Sequence, residues 1–240
     1  MVEGPSEVRA LETSIATLAD AADASVEVRF QIMCDRHRMT RTDKEGGDIT
    51  SKLGVNPDNI CHVIEKTFLT PFCRTTGLYP RDINQVVQIV DVDGCFVPDD
   101  RVVQAPQDQV GVVYRDDCIL ASDVKSIIRR NAQKQANIRK LISLSEIKAD
   151  SKVVPYQVYF FSSNLDHFLH GDANLDQDHK VLRAGDFSDE CVAKPSLFLN
   201  KMQEDDCYSD YTTSWETVQS GYESLRPHSN LGVFLDRFTM

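Results

Sequence analysis

The segment 83–94, INQVVQIVDVDG, constrains the fold more than any other part of the chain. Its middle is apolar and rich in β-branched residues, and Gly94 ends it. A near-continuous apolar run of this kind is typical of a strand covered on both faces, as in sheets with helices on each side. A second run, VPYQVYFF at 154–161, has the same character. The sequence therefore predicts an α/β fold with a layered, partly parallel sheet flanked by helices.

The other periodic segments predict the remaining elements. Helical spacing of apolar residues predicts helices at 6–20, 57–69, 122–146 and 213–224. Further strands are expected at 25–34 and 231–238. The apolar density falls after residue 171, which favours an α/β core domain at 1–171 and an appended, helical C-terminal region at 172–240 that packs on the core.

Composition excludes several classes of protein. A formal net charge of −11 argues against a protein that coats nucleic acid by bulk charge. The chain lacks both an apolar run of membrane-spanning length and a signal-like start, so we expect a cytoplasmic protein without a membrane partner. Its cysteines number seven and form no CxxC pair, which indicates reduced thiols rather than a disulfide framework or a structural zinc.

Asp91 and Asp93 follow the first buried strand at positions i and i+2. Side chains with this spacing point to the same side of a strand, and the ends of buried strands open into a crevice at the sheet edge. Two carboxylates and one more acid suffice to hold Mg²⁺, which prefers hard oxygen ligands. The alternative is a polar exit from the strand, in which the two aspartates only turn the chain.

A second polar motif, FSSNLDHFLHG at 161–171, follows the other buried strand. If the two strands are parallel, it lies at the same sheet edge as the acidic pair. Ser163 and Asn164 would then bind a phosphate or another ligand oxygen, and Asp166 would complete the metal site. His170 lies four residues after Asp166 and would share a helix face with it. The alternative is a capped helix start with surface histidines.

Two charged segments supply further candidates. Asp35, in the loop after the predicted strand 25–34, is a candidate metal ligand. The predicted helix 122–146 has no acid between Val124 and Ser145, and its basic residues include the candidate substrate-binding residues Arg129, Arg130 and Lys134. Such a run suits a nucleic-acid backbone. It equally suits a solvated face or a surface for a partner protein.

The DVD of 91–93 together with SSNLDHFLHG resembles Toprim-type nuclease domains, in particular the RloB-like proteins of bacterial defence loci. The resemblance covers about 140 residues. It implies that Asp91 and Asp93 are Mg²⁺ ligands and that Asp166 is the acid of the later motif. It also implies a glutamate after the first strand, where the nearest equivalent is Asp35. The expected function is metal-dependent phosphodiester cleavage, with a role in antiphage defence and a possible partner protein of a defence complex.

A second resemblance is to the haloacid dehalogenase family, because DVDG follows an apolar strand and YFFSSN ends another in serine. It implies a phosphatase with Asp91 as the phosphorylated nucleophile, Asp93 as the general acid and base, and Ser162 or Ser163 as the phosphate-binding residue. A non-catalytic subunit that binds a partner protein is the third alternative.

Overall fold

A computed structural model describes residues 1–23, 25–33, 47–109, 111–150, 152–204 and 210–239. The strands are β1 Val86–Asp91, β2 Val102–Gln104, β3 Val112–Tyr114, β4 Ile119–Ala121, β5 Glu146–Ala149 and β6 Lys152–Phe161. The helices are α1 Pro5–Ala22, α2 Ile60–Ile64, α3 Thr70–Thr76, α4 Val124–Ile142, α5 Leu165–His170, α6 Gln177–Ala193, α7 Pro195–Met202, α8 Tyr211–Val218 and α9 Leu231–Leu235. The protein is therefore α/β, with small mixed sheets flanked by helices.

The larger sheet has the order β1-β6-β5. β1 and β6 are parallel and in register, with Asp91 opposite Phe161, while β5 pairs with β6 in the antiparallel direction. The smaller sheet has the order β2-β4-β3 and lies between β1 and α4 in the chain. The parallel pair confirms that the acidic pair and the 161–171 motif leave the sheet at the same edge.

The N-terminus extends the larger sheet beyond β1. The N–H of Ile89 donates to the carbonyl of Met1 at 2.9 Å, and Val2 forms a parallel bridge to Ile32. The Met1 amino group also donates to the Val87 carbonyl at 2.6 Å, and this pair of hydrogen bonds shows that the first residues run parallel to β1. Glu3 leaves the sheet at the edge where β1 and β6 end.

Two apolar layers cover the two faces of the larger sheet. One layer contains residues of α2, α4 and α8 packed on Val90, Val158 and Phe160. The other contains residues of α1, α5, α6, α7 and α9 packed on Ile89, Tyr159 and Phe161. Alternate residues of each strand thus face opposite layers, which explains why both strands are apolar almost throughout.

Several predicted elements are confirmed, with changed boundaries. α1, α4, α8, β1 and β6 correspond to the predicted elements at 6–20, 122–146, 213–224, 83–94 and 154–161. The predicted helix 57–69 continues to Thr76 through a π-helical turn, Glu65–Leu69, in which Thr70 N–H donates to the Glu65 carbonyl. Pro71 lacks a backbone N–H and lies at the start of α3, directly after this turn.

The predicted strand at 231–238 is wrong. Residues Leu231–Leu235 form α9, and a 3₁₀ turn, Asp236–Phe238, follows it. Short apolar runs do not distinguish a strand from a buried helix. The backbone N–H of Phe160 in β6 donates to Asn230 Oδ1 at 2.9 Å, so a side chain takes the hydrogen bond that a neighbouring strand would otherwise accept.

The predicted strand 25–34 is only partly formed among its described residues. Residues 26–31 have no regular secondary structure, and the one bridge among the described residues of this segment lies at Ile32. No helix of the described ranges combines the length and apolar character needed to cross a membrane. The boundary at residue 171 stays a prediction, and α6 packs against α1 in one apolar layer.

Candidate functional site

Three segments that leave the sheet at one edge are joined by hydrogen bonds. Glu3 Oε1 accepts from the backbone N–H of Asp91 at 3.1 Å. Asp91 Oδ1 in turn accepts from Leu165 N–H at the start of α5, at 3.2 Å. The N–H of Asp93 donates to the carbonyl of Ser163 at 2.8 Å. These bonds bring the predicted pair and the 161–171 motif together.

Carboxylates concentrate at this edge, and we call them the acidic cluster. Its members are Glu3, Glu7, Asp48, Asp91, Asp93 and Asp166. Burial, together with the nearby charges of Asp48, Asp91 and Asp93, raises the pKa of Glu3 well above its usual value. Burial, Glu7 and Asp93 likewise raise the pKa of Asp91 well above its usual value. The site therefore favours proton or cation uptake.

Lys134 of α4 is the buried cation of the acidic cluster. Its side chain is 0% exposed, and its Nζ lies 2.5 Å from Asp93 Oδ2 and 2.8 Å from Asp48 Oδ2. Burial lowers the pKa of Lys134, but the two carboxylates outweigh this effect and hold that pKa well above its usual value. The pKa of Asp48 is lowered because Lys134 outweighs the effect of burial on this carboxyl.

Lys180 of α6 is a second cation at the cluster. Its Nζ lies 3.2 Å from Asp166 Oδ2, and its side chain is 27% exposed. Burial lowers the pKa of Lys180, but Asp166 outweighs it, and Asp91 and Asp93 add to the rise. Lys180 therefore faces both the cluster and solvent.

Two carboxylate oxygens of the cluster are buried without a hydrogen bond to any described residue. They are Glu7 Oε2 and Asp166 Oδ1. Glu7 is 8% exposed and Asp166 is 3% exposed. Burial is the largest influence on the pKa of Glu7 and raises it, and Asp166 raises it further. Buried acceptors without partners are costly, so these two oxygens favour the binding of a donor or a cation.

Ser163 and Asn164 make local hydrogen bonds. Asn164 is the N-cap of α5, with its Oδ1 accepting from His167 N–H at 2.9 Å and its Nδ2 donating to the Ala173 carbonyl at 2.9 Å. Ser163 Oγ lies 2.6 Å from His167 Nδ1. Asn164 therefore fixes the start of the helix that carries Asp166.

His170 is half-buried beside the cluster. Burial lowers its pKa against the opposing charge of Asp166. Its Nε2 is buried and has no hydrogen-bond partner among the described residues. Asp166 pairs with Lys180 rather than with His170.

The three predicted substrate-binding residues of α4 point in different directions. Arg130 donates to the carbonyl of Asp93 at 3.2 Å and to Tyr114 Oη at 3.0 Å. At about 100° per residue, Arg129 lies about 140° and Lys125 about 180° around the helix from Lys134. Both Arg129 and Lys125 are exposed. Arg130 and Lys134 thus face the cluster, whereas Arg129 faces away from it.

Asp35 lies outside the described residues. Within the described ranges, no group of three or more His, Cys, Asp or Glu side chains has the arrangement of a metal site. Asp91, Asp93 and Asp166 nonetheless lie at one edge of the sheet, linked through the hydrogen bonds and charges given above.

Sequence reasoning missed Glu3, Glu7 and Asp48. For Glu3, the signal was its position directly after the apolar residues Met1 and Val2. For Glu7, it was its position in the first turn of the helix that begins at Pro5. Asp48 follows a run of charged residues in the sequence and carries no comparable local signal.

The chain matches no protein-family model, and no curated protein and no solved structure matches it.

Proposed function

We propose that this protein is a metal-dependent, Toprim-like nuclease whose acidic cluster binds a divalent cation, in a bacterial antiphage system. The observation that carries the proposal is the meeting of Glu3, Asp91 and Asp166 at one edge of a sheet, beside buried carboxylate oxygens without partners. The carboxylates come from segments far apart in the chain, so their assembly is a property of the fold.

Glu3 supports the Toprim resemblance because it supplies the glutamate that the resemblance implies. It follows the backbone segment that pairs with β1, and its carboxylate contacts the backbone of Asp91. In this proposal Glu3 takes the role for which Asp35 was the nearest candidate. The proposed cation ligands are then Glu3, Asp91 and Asp93.

The donor set fits Mg²⁺ or Mn²⁺, which prefer carboxylate oxygens. Glu7 Oε2 and Asp166 Oδ1 have no hydrogen-bond partner among the described residues, although Lys180 pairs with the other oxygen of Asp166. A bound cation would activate water and neutralise charge on the phosphate.

The side chains around the cluster have complementary roles in the proposal. Lys180 is partly exposed and lies beside Asp166, so its ammonium is available to a phosphate oxygen that approaches from solvent. Arg130 holds the carbonyl of Asp93 and thereby fixes the turn that presents its carboxylate. Asp93 has a φ of 52°, a left-handed conformation that aspartate and asparagine adopt more readily than most residues.

A nucleic-acid strand is the proposed substrate. The outer face of α4 carries Lys125 and Arg129, both of which are exposed. This face of α4 is turned away from the acidic cluster. A nucleic-acid strand that contacts both the outer face and the cluster must therefore pass around the helix. We therefore assign Arg129 to a more distant part of the substrate and Lys180 to the part near the cluster.

The phosphatase alternative receives less support. The Ser162 hydroxyl donates to the Arg226 carbonyl and accepts from His228 N–H, so it is already occupied.

A cleavage assay tests the proposal. End-labelled single-stranded and duplex DNA and RNA are incubated with the full chain and Mg²⁺ or Mn²⁺, with and without EDTA. The variants are Asp91→Asn and Asp93→Asn, and Asp99→Asn serves as an exposed acidic control from the same loop. We expect the parent to cleave nucleic acid and EDTA to abolish this activity. Either site variant should lower the cleavage rate by more than about 100-fold, which exceeds the usual effect of removing a residue that only supports a metal ligand.

Equal cleavage by the parent and both site variants contradicts the proposal. Cleavage by no form of the protein with any of the four substrates favours the partner-binding alternative. Hydrolysis of an aryl phosphate that requires Asp91 favours the phosphatase.

A further inference from the structure

Lys134 occupies an unusual position for a lysine. Its side chain is fully buried and contacts two carboxylates, one of them on a proposed cation ligand, Asp93. Lysine is almost never fully buried unless it is paired. The ammonium thus supplies positive charge inside the acidic cluster where a divalent cation would supply it too.

The ammonium is held firmly in place. Gln133, the preceding residue, donates through Nε2 to the Lys52 carbonyl at 2.7 Å, and Asn137, one turn later, donates through Nδ2 to the Thr50 carbonyl at 2.7 Å. These bonds fasten α4 to the segment that carries Asp48. Lys134 therefore has little freedom to withdraw from the cluster.

Asp48 is fixed from the other side. Its Oδ1 accepts from the backbone N–H of Thr50 at 2.7 Å and from the Thr50 hydroxyl at 2.5 Å, which leaves Oδ2 for Lys134. Lys134 Nζ is thereby shared between Asp48 and Asp93. A carboxylate that shares an ammonium is held less tightly than one that has it alone.

We propose that Asp48 and Lys134 are positioning residues that set how tightly the acidic cluster binds its divalent cation. The inference rests on the proposed function. Lys134 weakens cation binding, because it repels the cation and engages one oxygen of Asp93. Asp48 strengthens cation binding, because it draws the ammonium away from Asp93 and adds negative charge. The same pair keeps the cluster folded when no cation is bound.

The proposal predicts opposite signs for two substitutions. Lys134→Met removes the positive charge at similar side-chain length, so cation affinity rises. Asp48→Asn removes the competing carboxylate, so cation affinity falls. A merely structural role for the pair would weaken cation binding in both variants.

Calorimetric titration of the full chain with Mn²⁺ measures these effects. We expect at least about tenfold tighter binding for Lys134→Met and at least about tenfold weaker binding for Asp48→Asn, since one unit charge close to the cation changes. Lys140→Met, on the same helix and outside the cluster, should bind like the parent.

Thermal unfolding gives an independent readout. Lys134→Met should unfold at a lower temperature than the parent in EDTA, and saturating Mn²⁺ should raise its Tm more than that of the parent. If Lys134→Met does not fold, Lys134→Gln takes its place, because it also removes the positive charge and only the proposal predicts that it binds Mn²⁺ more tightly than the parent.

The outcomes separate the two proposals. A parent that binds no divalent cation overturns the proposed function and this inference with it. A parent that binds Mn²⁺, with both variants weakened or both unchanged, overturns this inference alone.

Discussion

Glu3 Oε1 accepts a hydrogen bond at 3.1 Å from the backbone N–H of Asp91, a residue 88 positions later in the chain. In a regular parallel ladder this N–H would donate to a backbone carbonyl. Here a carboxylate takes that place at the last residue of β1. The pairing of the N-terminus with the sheet therefore also builds the acidic cluster.

The first prediction concerns the pH dependence of stability. The folded pKa of Glu3 is raised above its usual 4.5, so the folded state binds the proton more tightly than the unfolded state. This group therefore makes the free energy of unfolding fall as pH rises from about 4.5 through the folded pKa. Glu3→Gln keeps an acceptor for Asp91 N–H but does not ionise. Urea unfolding in EDTA should show the variant gaining stability relative to the parent as pH rises. A stability difference that does not change with pH would contradict this assignment.

The second prediction concerns Gly94, which ends the DVDG segment with a φ of +63°. A Cβ there would clash with Leu225 Cδ2, on a side chain that is 1% exposed. Gly94→Ala should therefore lower the free energy of unfolding by at least about 2 kcal/mol, from backbone strain and overpacking together.

Gly77 provides the matched control for Gly94. It has a φ of +73°, but a Cβ there meets nothing within 4 Å. Gly77→Ala should cost only the backbone strain, about 1–2 kcal/mol. If both variants lose the same free energy of unfolding in urea, the contact between the new Cβ at position 94 and Leu225 does not contribute to the destabilisation.

The third prediction concerns Asn230, which is 0% exposed. Its Oδ1 accepts from Phe160 N–H at 2.9 Å and its Nδ2 donates to Ser214 Oγ at 3.0 Å. Asn230→Leu removes the amide oxygen that accepts from the buried Phe160 N–H, so the free energy of unfolding should fall by about 1–3 kcal/mol. Asn84→Ala, at an exposed position, should change it by less than about 0.5 kcal/mol. Similar losses of unfolding free energy in both variants would contradict the conclusion that the Asn230 amide stabilises β6 through its hydrogen bond with Phe160.

Much of the fold was predictable because long periodic segments carry strong signals. β1 and β6 are apolar on both faces, and α4 has the helical spacing of Ile138 and Leu141 together with the capping residue Asp123. Weak local signals failed for a physical reason. The strand-like run at 231–235 is short, and its helical form depends on packing in the apolar layer that covers Tyr159.

The site was predictable only in part. Asp91, Asp93 and Asp166 follow strands that the sequence reveals, so their shared edge could be inferred. The pairing segment before Glu3 is only two residues long, and no periodicity can be measured over such a length. Lys134 appeared to belong to a basic surface, although its spacing from the buried Ile138 and Leu141 assigns it to the inner face of α4.

The most direct test of the central claim is the amount of Mn²⁺ that the protein binds, measured by electron paramagnetic resonance. The account predicts that the parent binds Mn²⁺, that Mg²⁺ competes for the site, and that Asp91→Asn and Glu3→Gln each weaken binding at least about tenfold. Asp99→Asn should bind like the parent. Absence of binding by the parent at millimolar Mn²⁺, or equal binding by all four proteins, would contradict the claim that the acidic cluster is a cation site.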